Sequence, residues 1–256
     1  ETLNIDYRTP ETLKDNHEEY EFLKELNADL AIVCAYGQII PENFLNLTKK
    51  GFVNIHASIL PSWRGAAPIQ RSIMNLDPET GISIMKIKKE LDSGPVSNIY
   101  KIKIDQNQNA QEISEKLSAL AAEKILDNVD DILEDKAKFI DQDHSKATYA
   151  KKIDKEESRI DWDEDASKII GKINGLFPSP GASFSFNGER YKILKAEIGN
   201  GIGQVGEIIS NQLEVACNKN QSIKILEIQR QGKRPQKISE FMLGSQIKKG
   251  SKLSNV

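Results

Sequence analysis

Short apolar runs alternate with amphipathic stretches along the first half of the chain. Tyr20, Leu23 and Leu26 fall at helical spacing, and Asn27-Ala28 closes that helix. Asp29-Leu30-Ala31-Ile32-Val33-Cys34-Ala35 follows, almost wholly apolar and rich in strand formers, and predicts a strand buried on both faces of a parallel sheet. The stretch beginning Pro41-Glu42-Asn43-Phe44-Leu45 reads as a further helix and Gly51–His56 as a second strand. Ile82–Ile87 reads as a third, whose alternation predicts an outer position. Helix and strand taking turns in this way predict an α/β domain.

From Asn109 to Asp135 the period becomes that of one long helix, with a stripe of Ile113, Leu117, Leu120, Ile125, Val129 and Ile132. Asn109 and Glu112 form a capping pair at its start. Residues 136–158 are charged and turn-rich. Asp163 is placed to cap a short helix carrying Ile169, Ile170, Ile173 and Leu176, which Pro178 and Pro180 end. Beyond it the pattern is that of strands: 182–186 turning at Asn187-Gly188 into 190–196, then 213–217 and 223–228. Strands this short and closely spaced predict a small barrel or sandwich. The organisation expected is an N-terminal domain over 1–135, a linker over 136–151 and a C-terminal domain over 152–256.

Composition narrows the class. The 256 residues are 38% hydrophobic and 29% charged, which supports a sizeable core, and no apolar run approaches the length of a membrane helix. Glu1-Thr2-Leu3-Asn4 shows neither the basic start nor the apolar stretch of a secretory signal, and the absence of an initial Met suggests a fragment. Cys34 and Cys217 match no metal-ligand spacing; Cys34, inside an apolar run, is expected to be a buried thiol, and the setting a reducing cytoplasm. Charge is unevenly spread. Residues 181–256 hold 12 Lys and Arg against 6 Glu, a net +6, so the overall −3 leaves −9 on the rest. A basic C-terminal third points either to a polyanionic partner or to a solvated lysine-rich surface.

One stretch carries chemistry: Asn54-Ile55-His56-Ala57-Ser58-Ile59-Leu60-Pro61-Ser62-Trp63-Arg64-Gly65. Residues two apart on a strand share a face, so Asn54 and His56 point together where the strand meets its loop. Ligands of open α/β sheets bind beyond such strand ends. An amide donor beside an imidazole suits acyl-type transfer, one holding an oxyanion, the other adding a donor or moving a proton. Asp92, in Leu91-Asp92-Ser93-Gly94-Pro95 after the third strand, is placed to reach the same crevice and orient His56. Read singly, the His is also an ordinary structural residue and Asp-Ser-Gly-Pro an ordinary turn. Spacing alone stops at an α/β domain with a polar site.

Asn54-x-His56-x-Ser58-x-Leu60-Pro61, then Arg64-Gly65-x-x-Pro68 and Leu91-Asp92-Ser93-Gly94, resembles the folate-dependent formyltransferases. Ala147-Thr148-Tyr149-Ala150, Arg159-Ile160-Asp161-Trp162, Pro178-Ser179-Pro180-Gly181-Ala182, Gly232-Lys233-Arg234 and Phe241-Met242-Leu243-Gly244 resemble the branch of that family acting on tRNA. The resemblance implies a Rossmann-like α/β formyltransferase domain followed by a small all-β, OB-like barrel. It implies Asn54, His56 and Asp92 as the catalytic trio, and Ser58, Ile59, Leu60 and Pro61 as the folate-binding segment. It implies 10-formyltetrahydrofolate as the formyl donor, initiator methionyl-tRNA as the acceptor, no metal, no membrane and a cytoplasmic monomer. Arg64, Lys233 and Arg234 become candidates for tRNA contact, Trp63 a packing residue or a stacking one. The family's first strand-loop-helix unit and an inserted loop, roughly 50 residues or one to two β-α units, have no counterpart here.

Overall fold

The Asn16 side chain accepts a hydrogen bond from the Glu19 amide and starts helix α1 (His17–Glu25), and the chain leaves it through Asn27 at φ 43°. The computed structural model describes residues 5–253; Glu1–Asn4, read above against a secretory start, lies outside the described residues. In chain order follow β1 (Ala31–Cys34), β2 (Phe52–His56), β3 (Arg64–Gly65), α2 (Pro68–Met74), β4 (Glu79–Lys86), β5 (Val96–Lys103) and α3 (Ala110–Leu133). Then come β6 (Tyr149–Ala150), α4 (Ala166–Leu176), β7 (Ser183–Phe186), β8 (Glu189–Ile198), β9 (Glu214–Cys217), β10 (Gln221–Arg230), β11 (Gln236–Lys237) and α5 (Ile238–Gly244). Contacts divide the chain into two compact units, one of Glu1–Ala66, Gly81–Tyr100 and Ala119–Tyr149, the other of Ala67–Thr80, Lys101–Ser118 and Ala150–Val256.

The first unit holds a sheet in the order β1-β2-β4-β5, with β1 parallel and β4 antiparallel to β2. Val53 and Ile84 on one face of that sheet pack on Ile132 of α3, with Ile125, Tyr100 and Phe139 around them. Burying an aliphatic side chain fully stabilises by about 1.5–3 kcal/mol, so this stripe fixes which face of β2 turns away from the helix. That other face carries Asn54 and His56. The reciprocal bonds of Asn109 and Glu112, both 3.0 Å, open α3 as its sequence predicts.

Four expectations are corrected here. The strand around Ile82 is interior, between β2 and β4's other neighbour β5, because Ser83 is not a solvent-facing residue: it is fully buried, its hydroxyl bonded to Ser58 O and Leu60 N. β1 is an edge strand whose residues alternate between half-buried and exposed, so it is not covered on both faces, and Cys34 is exposed. The stretch after Pro41 forms only a 3-10 turn, Phe44–Asn46, anchored by the buried Phe44 ring against Tyr20. The N-cap position of α4 is Asp165 rather than Asp163, and the Ala166 amide is met by the Gln221 side chain instead.

The second unit is built on an antiparallel five-stranded sheet, β11-β10-β8-β7, with β9 on β10. Asn187 (φ 49°) and Gly188 (φ 77°) make the two-residue turn between β7 and β8, the conformation that asparagine and glycine tolerate best. Ile169, Ile173 and Leu176 of α4 enter its core beside Ile193, Ile223, Ile225 and Ile228. The back of α4 lies close to α2: a Cβ at Gly171 would stand 2.7 Å from Leu76 Cδ2, and one at Gly175 2.9 Å from Gln70 O. The expected C-terminal all-β unit is thus an antiparallel sheet with two helices.

Candidate functional site

Strand β2 delivers Asn54 and His56 to one face, where their cross-strand partners on β4 are Met85 and Ser83. The Asn54 amide is half-buried and makes no hydrogen bond among the described residues, so its N–H groups remain available. His56 is 6% exposed and is held from both sides. Its Nε2 lies 3.0 Å from the Trp63 carbonyl. A carbonyl only accepts, so Nε2 carries the proton in that bond and Nδ1 is the nitrogen left facing Asp92, whose Oδ2 is 3.7 Å away. That distance exceeds a direct hydrogen bond and admits an electrostatic contact.

The loop after β2 is fixed by its own polar groups. Ser58 donates to Ser62 O at 2.6 Å, Ser62 N to Ile59 O at 3.0 Å, and the Ser83 hydroxyl ties Ser58 O to Leu60 N. Ser58 and Leu60 are buried, while Ile59 and Pro61 between and after them are half-buried. Trp63, at φ 61°, turns its carbonyl to His56, and its amide donates to Thr148 Oγ1. Gly65, at φ 120°, follows on β3, and its amide donates to Asp92 Oδ2 at 2.8 Å.

Of the ten residues singled out in the sequence, Arg64, Lys233 and Arg234 are placed differently from the rest. Arg64 is 3% exposed, and its guanidinium donates to Gln142 Oε1 through Nε (3.1 Å) and Nη2 (2.7 Å), with Nη2 also 3.1 Å from His144 Nδ1. It is turned inward and offers no open face to a polyanion. Asp92 sits at φ 45°, a region costly for a residue with a side chain. Lys233 and Arg234 are exposed at the turn between β10 and β11, in no ion pair among the described residues, with Gln229 donating to Lys233 O. The structure therefore gathers Asn54, His56, Asp92 and the 58–61 segment in one unit and leaves Lys233 and Arg234 in the other.

Sequence reasoning missed Ser83, Gln142 and His144. Ser83 has a signal, a hydroxyl inside an otherwise apolar strand, but the same pattern fits solvent-facing alternation. Gln142 and His144 had none, lying in a charged stretch that resembles a linker. Among the described residues no group of three His, Cys, Asp or Glu side chains is placed to hold a metal ion, and no helix is long and apolar enough to cross a membrane.

Residues 6–129 match the family described as formyl transferase, and residues 152–246 the formyl transferase C-terminal domain. The chain is 66% identical over 256 residues to the methionyl-tRNA formyltransferase of Pelagibacter ubique, covering all of this chain and 83% of that relative. It is 42% identical over 255 residues to the enzyme of the same name from Dictyoglomus turgidum, covering 96% of this chain and 81% of that one. Among solved structures, HypX from Aquifex aeolicus in complex with tetrahydrofolic acid superposes with a TM-score of 0.69 at 16% identity, covering 96% of this chain and 45% of that one. At that identity the likeness shows the fold alone, and it is the fold described above. The inward-turned Asn54, His56 and Asp92 therefore stand in a chain that belongs to the formyl transferase family, in its methionyl-tRNA formyltransferase branch.

Proposed function

We propose that this chain transfers the formyl group of 10-formyltetrahydrofolate to the free amino group of initiator methionyl-tRNA; the relatives it matches are named methionyl-tRNA formyltransferases. One observation carries the reading most directly: an unengaged amide, Asn54, stands on the same strand face as an imidazole whose second nitrogen looks at a carboxylate. The acceptor amine adds to the formyl carbon. Asn54 donates to the oxygen as it gains charge; His56 Nδ1, with Asp92, takes the proton that the amine loses and returns it to the folate nitrogen as the bond from that nitrogen to the formyl carbon breaks. Since Nε2 of His56 is committed to Trp63 O, the oxyanion donation falls to Asn54 rather than being shared. Ser58, Ile59, Leu60 and Pro61 hold the folate, with the half-buried Ile59 and Pro61 offering apolar surface and the pinned backbone offering polar groups.

The same reading divides the chain into a catalytic domain over 1–135, a linker over 136–151 and an OB-like tRNA-binding domain over 152–256. Exposed Lys233 and Arg234 meet phosphate there. Arg64 supports the catalytic loops from within. The protein works as a monomer in the cytoplasm.

The test is formyl transfer measured in parallel with three acceptors: charged initiator tRNA, glycinamide ribonucleotide and an amino-sugar nucleotide. Transfer to the tRNA with little or none to the others is expected. Preference for either small amine overturns the assignment of the acceptor, and absence of transfer to all three overturns the catalytic reading.

A further inference from the structure

Gln142 lies 50 residues beyond Asp92 in the sequence and is 8% exposed. Its Nε2 donates to two carbonyls of one loop, Asp92 O at 2.9 Å and Gly94 O at 2.7 Å. Its Oε1 accepts from Nε and Nη2 of Arg64. The amide orientation is unambiguous, because a guanidinium only donates and carbonyls only accept. Three of the four bonds are buried and the fourth, to Asp92 O, is partly buried, so a missing partner would leave a polar group poorly satisfied.

The loop it holds needs holding. Asp92 occupies a left-handed backbone conformation, which an aspartate adopts where local hydrogen bonds hold it. Gly94 is so close to β4 that a Cβ there would stand 1.9 Å from Lys86 O. The carboxylate end of the same residue is tied on the opposite side, by Gly65 N. Asp92 is thus set by one bond on its carboxylate and by the Gln142 amide on its backbone, and these determine how Oδ2 faces His56 Nδ1. Arg64 completes the frame: it is buried with Gln142 and His144 as partners, and no carboxylate forms an ion pair with it among the described residues. A buried cation without an acid is retained at a cost, so the neutral amide that receives it is held firmly in return.

We propose that Gln142 is a positioning residue for formyl transfer: from outside the reacting groups, it fixes the Asp92 carboxylate at its working distance from His56. The inference rests on the catalytic reading given above and adds to it a residue that touches neither substrate.

Gln142→Glu separates the two halves of the amide. It keeps an acceptor for Arg64 and turns the donor toward Asp92 O and Gly94 O into an acceptor. The measurement is steady-state formylation of charged initiator tRNA by the full chain, with thermal unfolding in parallel. Q142E is expected to lower kcat about 30-fold, in keeping with the cost of a misplaced catalytic group, while KM for each substrate stays within about twofold. In a chain already carrying Asp92→Asn, Q142E should lower kcat no further, because its effect passes through that carboxylate. Wild-type kcat in a folded Q142E protein overturns the inference, as does full additivity with D92N or a rise in KM alone. If Q142E loses its cooperative unfolding, Gln142→Met, close in volume, takes the same assays with the same outcomes decisive. D92N at wild-type kcat instead sinks the catalytic reading, and the positioning role with it.

Discussion

The Asp92 carboxylate stands 3.7 Å from Nδ1 of His56 and holds a 2.8 Å hydrogen bond from Gly65 N on the same oxygen. Asp92→Asn can keep the bond to Gly65 while removing the charge that faces the imidazole. Turnover is expected to fall by about 10²–10⁴, the range of a lost general acid or base. The melting temperature should move by less than about 4 °C. Stopped-assay kinetics beside a thermal melt check both. A large loss of stability with proportionate loss of activity would instead make Asp92 a structural residue.

Asn54→Ala removes the only side-chain donor of the trio that is not already engaged. A single oxyanion donor is worth about 10²–10³ in kcat, so a decrease of that order is expected, with KM for the folate changed by less than about twofold. Equal losses in kcat and in folate affinity would place Asn54 in ground-state binding. The unengaged amide makes the first outcome the expected one, since removing it leaves no partner unsatisfied among the described residues.

The α2–α4 contact depends on missing side chains. Alanine is favoured over glycine inside a helix by about 1 kcal/mol, yet at Gly175 its Cβ would lie 2.6 Å from Met74 Cγ and 2.9 Å from the backbone oxygen of Gln70. Met74 can move; Gln70 O cannot without shifting the helix. Overpacking of this kind costs about 1–3 kcal/mol, so Gly175→Ala should destabilise by about 1 kcal/mol net. Gly244→Ala, at the end of α5 with nothing within 4 Å, is the control and should be neutral or stabilising by up to about 1 kcal/mol. Urea unfolding of the pair distinguishes contact from propensity.

Glu214 holds the 199–203 loop: Oε1 accepts from Asn200 N (3.0 Å), Gly201 N (2.8 Å) and Ser222 Oγ (2.7 Å). Burial pushes its carboxyl upward, but the bonds from Ser222, Gly201 and Asn200 outweigh this, with Lys224 adding, and hold it below its ordinary 4.5. A lowered folded value means stability that is present above about pH 4.5 and lost as pH falls through the depressed value. Glu214→Gln should therefore cost about 1–2 kcal/mol at pH 7 and progressively less as the pH is lowered below 4. Thermal melts of both proteins across that range test the sign. A constant difference at every pH would show that the charge contributes nothing.

Much of this protein was legible in one dimension. Buried apolar periodicity survives folding because it is the cause of folding, so α3 with its Asn109–Glu112 cap and the Asn187-Gly188 hairpin sit where the pattern puts them. The juxtaposition of Asn54 and His56 follows from strand period alone. Polar residues that are buried break the same logic. Ser83 reads as outward-facing yet lies at the centre of the sheet, because two backbone groups of the 58–60 loop satisfy its hydroxyl. Cys34 and Ile32 read as core yet are exposed, because coverage depends on which element packs above a strand, not on the strand's composition.

What the sequence by itself determined was the alternation of elements, the single strand face that carries an amide and an imidazole, and the family to which such motifs belong. Only the tertiary structure decided which His56 nitrogen faces Asp92, that Arg64 is buried against Gln142, and that Gln142 is bonded to the Asp92 loop. Those facts depend on hydrogen bonds between residues 7 to 80 positions apart. Such bonds are directional and short in range, so they exist only once hydrophobic burial has brought the strands and loops together, and local pattern carries no trace of them.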